Sequence, residues 1–313
     1  MTAVLDGFAT IGVVVAVGFL LAHLGLVDER GQRALSTIAF NVASPALLLR
    51  IMQETSPAAL LSANLWTAAL SAYGAMAVYA VIAHRLWRPH LPAGTTVIGA
   101  LCVGYVNAGN LGLPIAFYVL GDVARAAPTM LMQLLLIAPP AMALLHSATR
   151  EGGNRLRTVV LGVVTNPIVL GSVIGLLLSV FSVTLPGAIA GPLDLLGGMA
   201  VPAMLIAFGI ALRLGPKPAG NGSAPHVWTL VAIKTFVNPS LALGLGLLFG
   251  LEGIELFTVV IMAALPTAQN VFMYAHRYGR GEHLARDAIL ISTFASVPSI
   301  VIVSLGFHLL GIV

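Results

Sequence analysis

Apolar residues run along this chain in blocks of membrane-spanning length, separated by short polar stretches. About 20 helical residues cross a bilayer core. Ten such blocks can be drawn, at roughly 7–27, 34–53, 60–83, 95–119, 127–148, 158–180, 190–212, 227–250, 255–278 and 286–311. The pattern predicts an all-α polytopic membrane protein of ten transmembrane helices. No connecting loop exceeds about fifteen residues, so no soluble domain is expected between spans.

Two blocks carry interruptions. The fourth holds Asn107-Ala108-Gly109-Asn110-Leu111-Gly112-Leu113-Pro114 and the ninth holds Leu265-Pro266-Thr267-Ala268-Gln269-Asn270. Proline removes a backbone donor and clashes with the preceding turn, so neither block reads as one continuous helix. A break in hydrocarbon costs several kcal/mol for each unpaired backbone group, unless protein or trapped water satisfies it. Breaks at membrane depth therefore line cavities. Two of them, one in each half, point to a transporter binding site. The bland alternative is two proline kinks whose polar residues face neighbouring helices.

The halves also resemble each other. Asn41-Val-Ala-Ser-Pro45-Ala-Leu-Leu-Leu49 in span 2 parallels Gly198-Met-Ala-Val-Pro202-Ala-Met-Leu-Ile206 in span 7. The interrupted spans hold the same rank, fourth of five. An odd number of spans per repeat sends the second repeat in from the opposite side. The expected architecture is two inverted five-helix repeats, 1–152 and 153–313, with broken helices 4 and 9.

Composition agrees with this reading. The 313 residues are 58% hydrophobic and 8% charged, against about 25% charged in soluble domains. A mean hydropathy of +1.00 excludes a soluble globular chain and a disordered one. The net charge of +4 does not call for nucleic acid, because the basic residues sit in short loops. Arg30, Arg33, Arg85, Arg88, Arg150, Arg155, Arg157, Arg213, Lys217, Arg277, Arg280 and Arg286 all fall in loops on one side. Positive loops stay in the cytoplasm, which puts both termini outside. Arg125 is the loop cation of the other side. Cys102, the single cysteine, reads as a packing residue. The start, Met1 to Asp6, lacks a basic leader region, so the first block is expected to remain as a span.

The polar candidates cluster at the interruptions: Asn107, Asn110, Thr267, Gln269 and Asn270. Each amide offers donors and an acceptor. Freed helix N-termini add partial positive charge, and freed C-termini add carbonyls. Tyr105 and Tyr274 read as packing residues that can also face a cavity. Lys234 lies about two turns into span 8, beside Asn238-Pro239, which is expected to open that helix; Asn166-Pro167 in span 6 is the parallel. Two roles fit Lys234: attraction of an anion or a fixed charge in the transport path, and snorkelling to the headgroups. Arg50 and Glu54 read as an (i, i+4) surface pair. Trp66, Trp87 and Trp228 sit near span ends, as interfacial aromatics do, and His146 and His308 also read as interfacial.

No carboxylate lies at the centre of a span, which argues against cation–proton exchange. No His-Glu-x-x-His, phosphate-binding Gly-rich loop or Gly-x-Ser-x-Gly elbow occurs, and no nucleophile–base pair is apparent. The chain does not read as an enzyme and calls for no cofactor or metal.

The stretch Asn107 to Pro114 followed by Ile115, the Leu265–Asn270 stretch and Ser44-Pro45-Ala46-Leu47 resemble the auxin efflux carrier family. That family contains plant auxin carriers and bacterial permeases assigned to malonate or malate. The resemblance covers essentially the whole chain, and the short loop 5–6 is similar to the bacterial members. It implies that spans 4 and 9 cross at Pro114 and Pro266. It implies a scaffold of spans 1, 2, 6 and 7, about 1–57 and 153–218. A transport domain, about 58–152 and 219–313, would move against it as an elevator, and the chain would form a homodimer. The expected function is secondary transport of a small organic anion, a mono- or dicarboxylate, across the inner (plasma) membrane. Substrate would sit at Asn107, Asn110, Pro114, Pro266, Thr267, Gln269 and Asn270, with Lys234 supplying positive potential. A sodium-coupled organic-anion symporter is the alternative, and a channel is disfavoured.

Topology is directly testable. Reporter fusions after Arg150 and after Lys217 should report cytoplasm, and a fusion at the C-terminus should report the outside. A cytoplasmic C-terminus removes the odd-repeat argument and the inverted symmetry with it.

Overall fold

The computed structural model describes residues 2–54, 62–87, 91–112, 115–116, 119–149, 165, 167–214 and 224–312. Its helices follow the apolar blocks. They are α1 (Thr2–His23), α2 (Glu29–Glu54), α3 (Ala63–Trp87), α4 (Ala93–Gly104), α5 (Pro128–Ala148), α6 (Pro167–Val180), α7 (Gly187–Leu214), α8 (Pro225–Leu248), α9 (Gly253–Ala264), α10 (Gln269–Tyr278) and α11 (Glu282–Leu309). Six of them, α2, α3, α5, α7, α8 and α11, are long and apolar enough to cross a bilayer by themselves. Shorter apolar helices fall in the blocks of spans 1, 4, 6 and 9. No strand occurs among the described residues. Arg88, Arg150, Arg155, Arg157, Lys217, Pro114 and Asn166 lie outside the described residues.

Prolines shape the helices in a regular way. A proline ring clashes with the carbonyl four residues earlier. For Pro45, Pro139 and Pro239 that carbonyl belongs to Asn41, Leu135 and Thr235. Each lies in a widened π-helical turn, at Ala39–Ala43, Met132–Ile137 and Ile233–Val237. The wider turn relieves the clash without ending the helix. The expectation that Asn238-Pro239 opens span 8 is thus corrected: α8 widens there and continues to Leu248. Pro298 is carried inside α11 without such a turn.

The chain divides into two compact units, one of Met1–Ala9, Ser62–Gln133 and Lys217–Val313, the other of Thr10–Leu61 and Leu134–Pro216. In the second unit, glycines let backbones meet. A Cβ on Gly171 would fall 2.4 Å from the Pro45 carbonyl oxygen, and one on Gly175 would fall 2.2 Å from that of Leu49. These two glycines, four apart on α6, form the small-residue face by which membrane helices approach closely. Gly18 of α1 meets Ile206 of α7 in the same manner, at 2.2 Å. Arg50 keeps the expected pair with Glu54, at 3.1 Å. It also makes a longer-range pair, from Nε to Asp194 Oδ1 of α7 at 2.6 Å.

In the first unit, α3 packs on α4, α8 and α9, and α11 packs on α4, α8, α9 and α10. Arg125 pairs with Glu255 at 2.6 Å, and Glu255 also accepts from Asn64. Arg286, expected as a loop charge, is 2% exposed. Only residues 279–281 separate α10 from α11, with Gly279 and Gly281 at φ of 60° and 63°. The tight turn pulls Arg286 into the second helical turn. There its Nη2 donates to Asp287 Oδ1 at 2.6 Å.

The glycine contacts predict a selective effect. Gly175→Leu should lower the stability of the purified protein by about 1–3 kcal/mol, the usual cost of overpacking. Gly191→Ala, where an added Cβ meets nothing within 4 Å, should melt as wild type does. Equal thermal melting of all three proteins removes the packing argument.

Candidate functional site

The chain breaks of spans 4 and 9 meet. α4 ends at Gly104, three residues before the asparagine at which the sequence placed the interruption. Tyr105 is extended (φ −94°, ψ 99°), and so are Leu265 (φ −56°, ψ 150°) and Ala268 (φ −71°, ψ 144°). Pro266 accounts for Leu265, because the residue before proline is pushed out of the helical region. Val106 lies opposite Thr267 in an antiparallel bridge. Two backbone bonds frame it: Asn107 N–H to the Pro266 carbonyl at 2.8 Å, and Ala268 N–H to the Tyr105 carbonyl at 3.0 Å. The early end of α4 follows from this pairing, since residues 105–107 are needed as the partner of 266–268.

In such a pair, the central residues point their own amide groups away from each other, and those groups need partners elsewhere. Gln133 of α5 donates Nε2–H to the Val106 carbonyl at 2.8 Å. The Val106 carbonyl also accepts from Ala108 N–H at 2.8 Å. Ser292 Oγ of α11 accepts the Thr267 N–H at 3.1 Å. The Thr267 hydroxyl donates to the Cys102 carbonyl, one of the last of α4, at 2.5 Å. All these side chains are buried.

The helix ends at the crossing differ in what caps them. At the C-terminal end of α9, Lys234 Nζ donates to the Ala263 carbonyl at 2.8 Å. Asn238 Nδ2 donates to the same oxygen at 3.2 Å. Lys234 is 1% exposed, so its ammonium lies on a helix end inside the unit, and not among headgroups. A cation there complements the negative end of the helix dipole. At the N-terminal end of α10 the capping position is Ala268, with no side-chain cap. Alanine is among the poorest residues there, worse than Ser, Thr, Asn or Asp by about 1 kcal/mol.

Around that end stand most of the residues singled out from the sequence. Thr267, Gln269 and Asn107 are buried, and Asn270 is half-buried. Tyr105 and Tyr274 form an edge-to-face pair with ring centroids 6.0 Å apart, and Tyr105 also interacts with Asn270. Asn110 has its backbone in the π-helical turn Ala108–Gly112; its side chain and Pro114 lie outside the described residues. A Cβ on Gly109 would meet nothing within 4 Å. Gln133, Asn238 and Ser292 were not singled out as site residues from the sequence. The signal for Gln133 was present, since a lone amide inside an apolar block needs a partner. Ser292 carried no signal beyond its helical register.

Apolar helices, two of them interrupted and paired at their breaks, define a multi-pass membrane protein with a polar site at a crossing. Known proteins give its family. The model of the membrane transport protein family matches residues 3–154 and 153–304, and the chain belongs to this family, that of the auxin efflux carriers. It is similar to a Rhizobium meliloti (strain 1021) protein to which malonate transport has been ascribed, 29% identical over 90% of this chain and 89% of the relative. It is similar to an uncharacterized transporter of Methanothermobacter thermautotrophicus, 24% identical over 92% of this chain and 93% of the relative. It also matches auxin efflux carrier component 2 of Oryza sativa subsp. japonica, 25% identical over 48% of this chain and 24% of the relative. The protein is a membrane transporter, with a bilayer as its setting and a small molecule as its substrate.

The two supports of the crossing should differ in cost. Ser292→Ala leaves the buried Thr267 N–H without this acceptor, at about 1–3 kcal/mol. Gln133→Leu leaves Val106 one backbone donor and should cost less, about 0.5–1.5 kcal/mol. Thermal melting of both variants checks the order; a larger loss for Gln133→Leu would mean that the Thr267 N–H does not depend on Ser292.

Proposed function

We propose that the protein is a secondary active carrier for a small organic anion, a mono- or dicarboxylate, bound at the crossing of spans 4 and 9. One observation carries the reading. The negative end of α9 is held by the chain's own cation, while the positive end of α10 has no side-chain cap. The positive end of the helix dipole there then favours an anion. Asn270 and Gln269 add amide donors, and Asn107 and Asn110 belong to the facing break. Thr267 and Pro266 shape the break of span 9. Lys234 contributes positive potential from behind the crossing. The malonate ascription of the Rhizobium relative supports the substrate class.

On this reading the chain is a ten-span inverted repeat in the plasma membrane, with both termini outside and a homodimer as the assembly. The division into two units supports an elevator in which the unit bearing the crossing carries the substrate.

A thermal-shift screen of purified protein against carboxylates tests the substrate class, since a ligand bound only by the native state raises apparent stability. Lys234→Gln removes the charge and keeps much of the length. It should weaken carboxylate binding about fivefold or more, the effect of roughly 1 kcal/mol, with partial rescue by Lys234→Arg. Affinities are compared at two salt concentrations. Equal affinity in all three proteins removes Lys234 from anion selection. The absence of any carboxylate shift, together with no counterflow in vesicles, removes the anion carrier reading itself.

A further inference from the structure

Behind the crossing lies a small cavity. Its lining comes from α3 (Ala68, Ser71, Ala72), the spans 4 and 9 breaks and their helices (Gly104, Val106, Val259, Met262, Ala263), α5 (Thr129, Met132) and Asn238 of α8. It measures about 10 Å³ as room for a water-sized sphere, close to the minimum for one water.

Asn238 gives the cavity its chemical demand. The residue is 1% exposed. Its Nδ2 is engaged by the Ala263 carbonyl, while its Oδ1 has no hydrogen-bond partner among the described residues. A buried acceptor left unmet costs about 1–3 kcal/mol. An acceptor calls for a donor, which leaves water or a small cation. Lys234 decides between them. Its ammonium reaches the same Ala263 oxygen as Asn238, so a second positive charge in the cavity would lie a few ångströms from the first. At 4 Å, two like charges repel by about 4 kcal/mol at an effective dielectric constant near 20. A cation in the cavity would meet that repulsion, and a neutral water would not.

We propose that this cavity binds one water molecule, which donates to Asn238 Oδ1 and bonds to the hydroxyls of Ser71 and Thr129. Those hydroxyls are the other polar side-chain groups of the lining. A water so placed meets the two or more polar partners that a buried site requires. It also serves the break itself, whose backbone has no bulk solvent to turn to. The proposal stands apart from the substrate reading: the water belongs to the wall behind the crossing, and its presence does not depend on which solute is carried.

The test has a direct arm and a variant arm. An experimental structure of the wild-type protein at a resolution that shows ordered solvent should place a peak within hydrogen-bond distance of Asn238 Oδ1. No peak there overturns the proposal. Thr129→Val keeps the shape and removes one hydroxyl. If a water bonds to Thr129, the variant loses that bond and Tm falls by roughly 2–4 °C. If the cavity is dry, the swap leaves Tm unchanged or raises it, and the proposal fails. Both proteins are melted in sodium chloride and in choline chloride at equal ionic strength. Equal Tm of the wild type in the two salts is the result expected for water. A sodium-specific rise in the wild type that Thr129→Val abolishes assigns the cavity to a cation and overturns the water site. Should the variant fail to fold, the wild-type peak and the salt comparison decide the matter.

Discussion

Everything at the centre of this protein follows from one constraint: in hydrocarbon, a backbone group that leaves a helix must find its partner in the protein. Residues 105–107 and 265–268 leave their helices, and each supplies the partner for the other. A single break could not do this. Two crossing breaks make a two-bond antiparallel contact and leave the outward groups of Val106 and Thr267 among those still to satisfy. Gln133 and Ser292 reach in from α5 and α11 to those groups. The crossing is therefore a joint of four elements, and α3 and α8 close the wall behind it.

Much of this was legible in the sequence, and the parts that were not share a cause. The apolar blocks located the helices because a bilayer leaves little choice of length or composition. Pro266 located the break of span 9, because the residue before a proline is pushed out of the helical region. Those are local rules, and local rules survive without a structure. α4 ends three residues before Asn107, where the interruption begins in the sequence, because its end is set by the register with Pro266, some 160 residues away. Pro239 was read as a break and is a widened turn, because the ring tolerates either outcome and the surrounding packing selects one.

The charges show the same division. Arg50 and Glu54 were visible as a pair because they are four residues apart. Asp194 and Glu255, which hold Arg50 and Arg125 at 2.6 Å, were not, because no spacing rule joins residues so distant. Arg286 looked like a loop cation among Arg277 and Arg280. A turn closed by two left-handed glycines turned it into a buried partner of Asp287. Charge counting across loops depends on the majority of residues and tolerates one such exception. Assignment of a role to any single charge does not.

Lys234 shows how a magnitude separates the roles left open by sequence. A lysine at the centre of a span costs about 2.5–3.5 kcal/mol on insertion scales. A charge-assisted hydrogen bond returns about 1.5–3 kcal/mol, and a cation at a helix C-terminus adds about 0.3–1, up to about 2 when partly buried. The Ala263 carbonyl thus offsets most of the cost without a carboxylate. It also cancels the negative end of α9. At the positive end of α10, Ala268 stands where a capping residue would and supplies no side-chain bond. A site for a cation would need the reverse, with the carbonyl end free and the amide end capped. The asymmetry of the two helix ends, more than the presence of any one polar side chain, is the ground on which an anion is proposed at the crossing.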